Sequence, residues 1–358
     1  MALFEKLALR SITLPNRIGL APMCQYSAVD GLANDWHLVH LGARAVGGAG
    51  LVMTEAVAVS PEGRISPGDL GLWADGQVGP LARIASFLAA QGAVPAIQLA
   101  HAGRKASTKR PWDGGGRALP ADGGWEPVFA PSTVPFDEGW QVPEALDADG
   151  MARLAAAFAA AARRAADAGF LVAEIHAAHG YLLHEFLSPI ANRRGDAFGG
   201  SLEHRMRFPL RVVEAVRAAW PTDLPLFLRL SATDWVDGGF VPDEAVAFAR
   251  EAKARGVDLV DCSSGGMHPQ AVVPVAPGYQ VPFAARIRKE AEVATAAVGL
   301  ITEPLQAEEI LVSGHADLVL LGRELLRNPH WPLAASEQLG AAQEGPRQYL
   351  RARPYKAL

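Results

Sequence analysis

The stretch EIHAAHGYLLHEFLSP, residues 174–189, places His176, His179, Tyr181 and His184 close together directly after an apolar run. Histidines so grouped can ligate a metal, hold and protonate a reacting oxygen, or close an ordinary buried strand end. Spacing constrains the choice. Residues three apart on a strand face opposite sides, so His176 and His179 cannot both point inward from regular β structure. The strand must end near His176, and the chain must turn so that His179 and Tyr181 lean over the same mouth, with Gly180 easing the turn. Two imidazoles and a phenol around one small volume can hold a carbonyl or another anion-forming oxygen and deliver a proton. A metal is not expected, because only Glu174 and Glu185 stand near the histidines. His184, on the helix expected after the motif, reads as a structural group.

Elements able to carry such a site are visible along the chain. Continuous apolar runs occur at 17–23, 51–57, 94–101, 171–179, 224–232, 257–265, 293–301 and 318–323. Unbroken runs, as opposed to alternating ones, are what strands buried on both faces of a parallel sheet look like. Helix-like segments at 76–91, 147–168, 201–219, 242–255 and 304–313 lie between them, and Gly169 and Gly256 read as glycines ending two of these. The pattern predicts an α/β fold, a (β/α)8 TIM barrel in a single domain spanning 1–358. A doubly wound sheet is the rival, but no G-x-G-x-x-G follows any run, and GGAG at 47–50 precedes a strand instead. Residues 102–146 break the alternation. They are rich in Gly, Pro and Trp, and read as a lid-like excursion after strand three in which Trp112 and Trp125 pack.

Barrel chemistry belongs to the C-terminal strand ends. There the sequence offers Pro22 to Tyr26, Glu55-Ala56, Gln98 to His101, the histidine turn, Arg229 and Ser263-Ser264, a donor-rich set poor in carboxylates. That disfavours a hydrolase built on a carboxylate pair. Gly299 near the end of the seventh run and Gly322-Arg323 at the end of the eighth suit a phosphate, since glycine admits close backbone approach and arginine a charged fork. Arg229 would fix a positive charge in the floor.

Composition bounds the rest. With 358 residues, 50% hydrophobic and 20% charged, the chain can bury a large core, and its net charge of −5 argues against nucleic acid or an anionic membrane as partner. Cys24 and Cys262, far apart, exclude a disulfide framework or a four-cysteine cluster and fit a reducing compartment. The N-terminus lacks an apolar signal region, and the alanine-rich segment 152–168 is interrupted by charges, so a cytoplasmic protein is expected. Cys262 reads as a small buried residue; Glu55 and Asp261 read as structural carboxylates without an assigned role.

APMCQYS, AVSPEGRI, QLAHAGRKA, HAAHGYLLHEFLSPIANRRGDAFGGS and the late LGR, spread over nearly the whole chain, resemble the old yellow enzyme family of FMN-dependent ene-reductases. Cys24 and the short tail are similar to its thermophilic-like bacterial subclass. The resemblance implies noncovalent FMN, NAD(P)H as reductant, and an enone or nitro substrate. Carried over by position, Ala21, Pro22, Met23, Cys24, Ala56, Gln98, Arg229, Gly299, Gly322 and Arg323 bind the cofactor, with Cys24 tuning its potential. His176 and His179 hold the substrate oxygen, Tyr181 supplies a proton, and Tyr26 lies over the flavin. In the tail, Arg351, with Arg353 as fallback, would complete a neighbouring subunit's pocket in a homodimer or dimer of dimers. The alternatives are another FMN-barrel reductase of dienoyl-thioester type, a non-catalytic flavin-binding protein, and a metal-dependent barrel lyase. Larger FMN-barrel relatives carry an iron–sulfur cysteine cluster, missing here.

Overall fold

The computed structural model describes residues 1–352. A short antiparallel hairpin, β1 (Leu7–Leu9) and β2 (Ile12–Leu14), comes first. The parallel strands follow: β3 (Ile18–Leu20), β4 (Leu51–Ala58) with the two-residue β5 (Leu70–Gly71) on its end, and β6 (Val94–Ala100). After a small parallel pair, β7 (Phe129–Ala130) and β8 (Glu144–Ala145), come β9 (Val172–Ala177), β10 (Leu226–Ser231), β11 (Leu259–Ser263), β12 (Ala294–Ala297) and β13 (Leu318–Leu321). β13 pairs with β3, and β3 with β4, so the sheet closes on itself. This is the (β/α)8 barrel that the apolar runs predicted, and each run overlaps one of its strands.

The helices α1 (Asp35–Val46), α2 (Val78–Ala90), α3 (Ala148–Asp167), α4 (Leu182–Leu187), α5 (Leu202–Ala219), α6 (Pro242–Ala254), α7 (Val281–Glu290), α8 (Pro304–Val312), α9 (Arg323–Arg327) and α10 (Trp331–Leu339) complete the outer layer. Their starts are written locally. The Asn34 side chain accepts from Trp36 N at 3.0 Å and Asp147 from Gly150 N at 2.6 Å, while Pro242 and Pro304 stand where a missing N–H costs nothing. Gly169 and Gly256 follow α3 and α6 with φ of +85° and +93°, as expected of helix-ending glycines. No helix among the described residues is long and apolar enough to cross a membrane.

The two ends of the barrel differ in composition. Leu9 and Leu14 of the hairpin join Leu51, Val94, Val172, Phe227, Leu259 and Leu318 in a buried apolar cluster at the strand starts. That plug closes the floor. At the opposite end the 102–146 excursion is tied down, not loose: Arg104, 1% exposed, donates to Met267 O at 2.8 Å and Pro135 O at 3.2 Å, and Trp125 Nε1 reaches Glu62 O at 3.1 Å.

Candidate active site

β9 ends at Ala177, and the chain then turns through His179 (φ +58°) and Gly180 (φ +73°). The turn inferred from the spacing is present, and it carries a histidine as well as a glycine into the left-handed region, a conformation that surroundings must enforce. They do so at three atoms. Ser231 Oγ accepts from His179 N at 2.9 Å, Lys105 Nζ donates to His179 O at 2.9 Å, and His184 Nδ1 accepts from Gly180 N at 3.0 Å. The two rings are thereby brought together, with His176 Nε2 and His179 Nδ1 3.3 Å apart, and the Tyr181 ring stands edge-on to His176 at 5.0 Å between centroids. His176 Nδ1 accepts from Ala178 N at 3.2 Å, which assigns its proton to Nε2, the nitrogen facing His179. Burial first, then Arg229, holds both imidazoles well below the ordinary histidine range, so both are neutral. Enclosure likewise pushes the Tyr181 phenol well above its ordinary range, so it keeps its proton.

A second turn faces the first. Past β3 the chain runs through Cys24 to Tyr26, whose φ is +50°. Glu55 Oε2 accepts from Gln25 N at 2.9 Å, and His37 Nε2 lies 3.3 Å from Glu55 Oε1. Glu55, read from sequence as structural without a role, thus pins the turn that carries Cys24 and Tyr26. Burial raises the Cys24 thiol well above its usual value, so it is a thiol and not a thiolate. Cys24, Tyr26 and Tyr181 pack on one apolar wall with Ile65, Ala102, Ala106 and Val128, and Trp112 meets the Tyr26 ring edge-on at 5.8 Å. Trp125 joins the same wall, as expected of excursion packing, whereas Trp112 is 63% exposed and contributes only its edge contact to Tyr26.

Two carboxylates are buried within the strands that lead to the mouth. Glu174 and Asp261, both fully buried, lie inside β9 and β11 beside the donors of neighbouring strands. Gln98 Nε2 donates to Glu174 Oε1 at 2.7 Å, and Arg229 Nε stands 3.0 Å from Asp261 Oδ2. Burial pushes Glu174 up to about 8 and Asp261 to about 6. These carboxylates serve the floor residues; the partners they take leave no water-activating pair.

Beyond Arg229 opens a cavity of about 230 Å³, lined among others by Ser263, Gln280, Gly299, Gly322 and Arg323. Gly299 has φ +120°, and a Cβ on Gly322 would meet only Met23 Sδ, at 3.6 Å, so the backbone there is open to a ligand. Arg323 is exposed and makes no ion pair among the described residues. The nearby ion pair is made by Arg327 with Glu324 instead, at 2.5 Å. A buried amide at Gln98, a buried cation at Arg229, a small-residue wall from Ala21 and Ala56, and an open glycine cradle beside an arginine fit the pyrimidine edge, ring face and phosphate of FMN.

Among the described residues no group of three or more His, Cys, Asp or Glu could hold a metal. His184 is structural in the sense expected, buried and 3.0 Å from Asp234. Arg351 sits in the exposed turn Arg347–Ala352, and its side chain makes no hydrogen bond or ion pair among the described residues; Arg353 lies outside them. Lys105, Ser231, His37 and Asp234 were passed over. Lys105 stood in the QLAHAGRKA motif and was visible there. Asp234 and His37 carried no local signal, because their partners lie 50 and 18 residues away.

The family model described as NADH:flavin oxidoreductase / NADH oxidase family matches residues 2–341. An NADPH dehydrogenase of Geobacillus sp. (strain WCH70) is 48% identical over 351 residues, 98% of both chains. One from Listeria monocytogenes serotype 4a (strain HCC23) is 49% identical over 352 residues, again 98% of each. Among solved structures, morphinone reductase superposes with a TM-score of 0.79 at 29% identity, covering 97% of this chain and 92% of its own.

Proposed function

The chain belongs to the NADH:flavin oxidoreductase / NADH oxidase family, of old yellow enzyme type, and from that premise we propose that it reduces the activated C=C bond of α,β-unsaturated carbonyl or nitro compounds. FMN, reduced by NAD(P)H, supplies the hydride when bound. The observation that carries this reading is the meeting of two neutral imidazoles and a protonated phenol at one turn. His176, with Nδ1 engaged by Ala178 N, offers its Nε2–H to the substrate oxygen. His179 offers the second donor from the opposite side, with Ser263 Oγ 2.7 Å from its Nε2 to accommodate the tautomer this needs. Two donors on that oxygen draw electron density from the alkene and stabilise the enolate that hydride addition creates. Tyr181 delivers the proton to the α-carbon.

The cofactor roles proposed are those of Gln98 at the pyrimidine edge, Arg229 as the cation for the electron-rich reduced ring, Ala21, Pro22, Met23, Cys24 and Ala56 along the ring face, and Gly299, Gly322 and Arg323 at the phosphate. Tyr26 closes the substrate side. Arg351, exposed and without a side-chain hydrogen bond or ion pair among the described residues, would reach a second copy's mouth.

Enzyme reduced with NADPH without oxygen, then mixed with a cyclic enone or nitroalkene, should recover its oxidised visible spectrum with stoichiometric saturation of the C=C bond. Reoxidation by dioxygen but by neither class of alkene would overturn the proposal. Arg351 is tested by co-expressing Arg351→Ala with His176→Ala. Trans action requires that verified heterodimers regain activity that neither variant has alone; their failure to do so assigns Arg351 no role across subunits.

A further inference from the structure

Among the buried side chains that this chemistry leaves unused, His184 and Asp234 form the most completely built group. Both side chains are 0% exposed, with His184 Nε2 3.0 Å from Asp234 Oδ1. The other carboxylate oxygen accepts from the Ser188 hydroxyl at 2.6 Å and from Phe240 N at 2.7 Å. Across the ring, His184 Nδ1 accepts from Gly180 N at 3.0 Å. A ring accepting at Nδ1 carries its neutral-state proton on Nε2, the nitrogen that faces the carboxylate, so both edges of the imidazole are committed. His184 is the third residue of α4, and it reaches back over the helix cap at Tyr181 to the residue before it, much as a third-position side chain closes a capping box.

The amide so held lies between the two residues proposed to touch substrate. Its neighbour His179 is left-handed at φ +58°, and Gly180 at +73° packs so closely that a Cβ there would come within 2.2 Å of Gly266 O. A fully buried ion pair adds little net stability over an apolar replacement. What this one supplies is geometric: an acceptor at a fixed point for one peptide N–H.

We propose that His184, oriented by Asp234, is a positioning residue for the reaction. By taking the Gly180 amide proton it sets the backbone at 179–181, and with it the separation of the His179 ring from the Tyr181 hydroxyl. This rests on the reading of His179 and Tyr181 as the substrate's partners.

Side-chain amides separate the two bonds. His184→Asn places an amide oxygen near Nδ1 and keeps an acceptor for Gly180; His184→Gln reaches toward Nε2, keeps a donor for Asp234 and loses the Gly180 bond. With 4-hydroxybenzaldehyde as probe, read by its charge-transfer absorption, His184→Gln should weaken binding and slow the enone step by ~10²-fold, the scale of a roughly 1 Å misplacement. FMN affinity and the NADPH step should change by less than about threefold, because neither uses the phenol proton. His184→Asn should recover most of the loss. In the unmodified holoenzyme the Gly180 amide should resist hydrogen exchange, a measurement that needs no variant to fold. Free exchange at Gly180, equal losses in Asn and Gln variants, or unchanged probe affinity in His184→Gln would each overturn the proposal. His179→Ala is run alongside. If it weakens the probe and His184→Gln does not, positioning alone fails; if it leaves the probe untouched, the reading of the oxygen site falls and takes the positioning role with it.

Discussion

The two turns at the mouth present a tyrosine each, and each bends a non-glycine residue into left-handed backbone, Tyr26 at φ +50° and His179 at φ +58°. Each is braced from below by a buried histidine–carboxylate pair, but the order of the partners is reversed. At Tyr26 the carboxylate touches the backbone, Glu55 taking Gln25 N, with His37 behind it. At Tyr181 the histidine touches the backbone and Asp234 stands behind. The first arrangement gives the amide a carboxylate acceptor, and its turn also leans on Trp112 from the excursion. The second gives a directional ring-nitrogen acceptor inside the core. The first turn is held through a carboxylate and a contact from the excursion, the second through an imidazole and the Lys105 ammonium, and the groups proposed to meet substrate sit on the second.

Replacing the two phenols one at a time should separate them most clearly. Tyr181→Phe should slow the enone step by ~10²–10⁴-fold and spare the NADPH step, the range for loss of a general acid, whereas Tyr26→Phe should change either step only a few-fold. Equal losses in stopped-flow traces would erase the distinction. The braces come next. Asp234→Ala leaves a buried imidazole N–H, a hydroxyl and a backbone N–H without their acceptor and should cost about 3–5 kcal/mol in urea unfolding. Glu55→Gln retains an acceptor for Gln25 N and should cost only about 1–2 kcal/mol. A reversed order would mean that the carboxylate at the first turn is the more deeply committed one. Smaller still is Trp112→Ala, which removes an edge contact of about 0.5–1.5 kcal/mol and should raise KM for the enone with kcat nearly unchanged. The smallest effect expected is none. Burial lowers His176 and His179 well below 6.5, so acidification through the ordinary histidine range leaves both neutral. The nitrogen NMR shifts of both rings should therefore stay level from about pH 7 to about pH 5, where unshifted imidazoles would have charged, whatever Asp261, raised to about 6 beside Arg229, does to the rate in that window. A titration of either ring centred near pH 6.5 would show that the turn is wetter than its structure.

What could be read in advance follows from how local each signal was. The eight runs were legible because a strand buried on both faces must be apolar throughout, and the histidine turn because period-two geometry forbids both rings from one strand. α1 was missed because DWHLVHLGARAV buries His37, His40 and Arg44, polar residues that break the apolar stripe. Glu174 and Asp261 were noted as carboxylates but given no role, because they sit inside apolar strands and their partners lie on neighbouring strands. His184 was identified as structural, yet its consequence depends on Asp234, which only the tertiary fold brings near. The braces were invisible for that reason, although the groups they hold were not.

The ring's closure has a consequence for how the chain is made. β3 pairs at Ile18 with Val319, and the first amides, Ala2 and Leu3 N–H, find their acceptor in Glu308 at 2.8 Å each. At ribosomal rates the partners of this opening segment emerge about 15–60 s after it does. Throughout that interval the nascent sheet carries an uncompleted edge. This seam can be sewn only once residues 308–321 have been made, roughly 300 residues after the segment they receive, and until then the early strands keep an open edge that must be kept from pairing elsewhere.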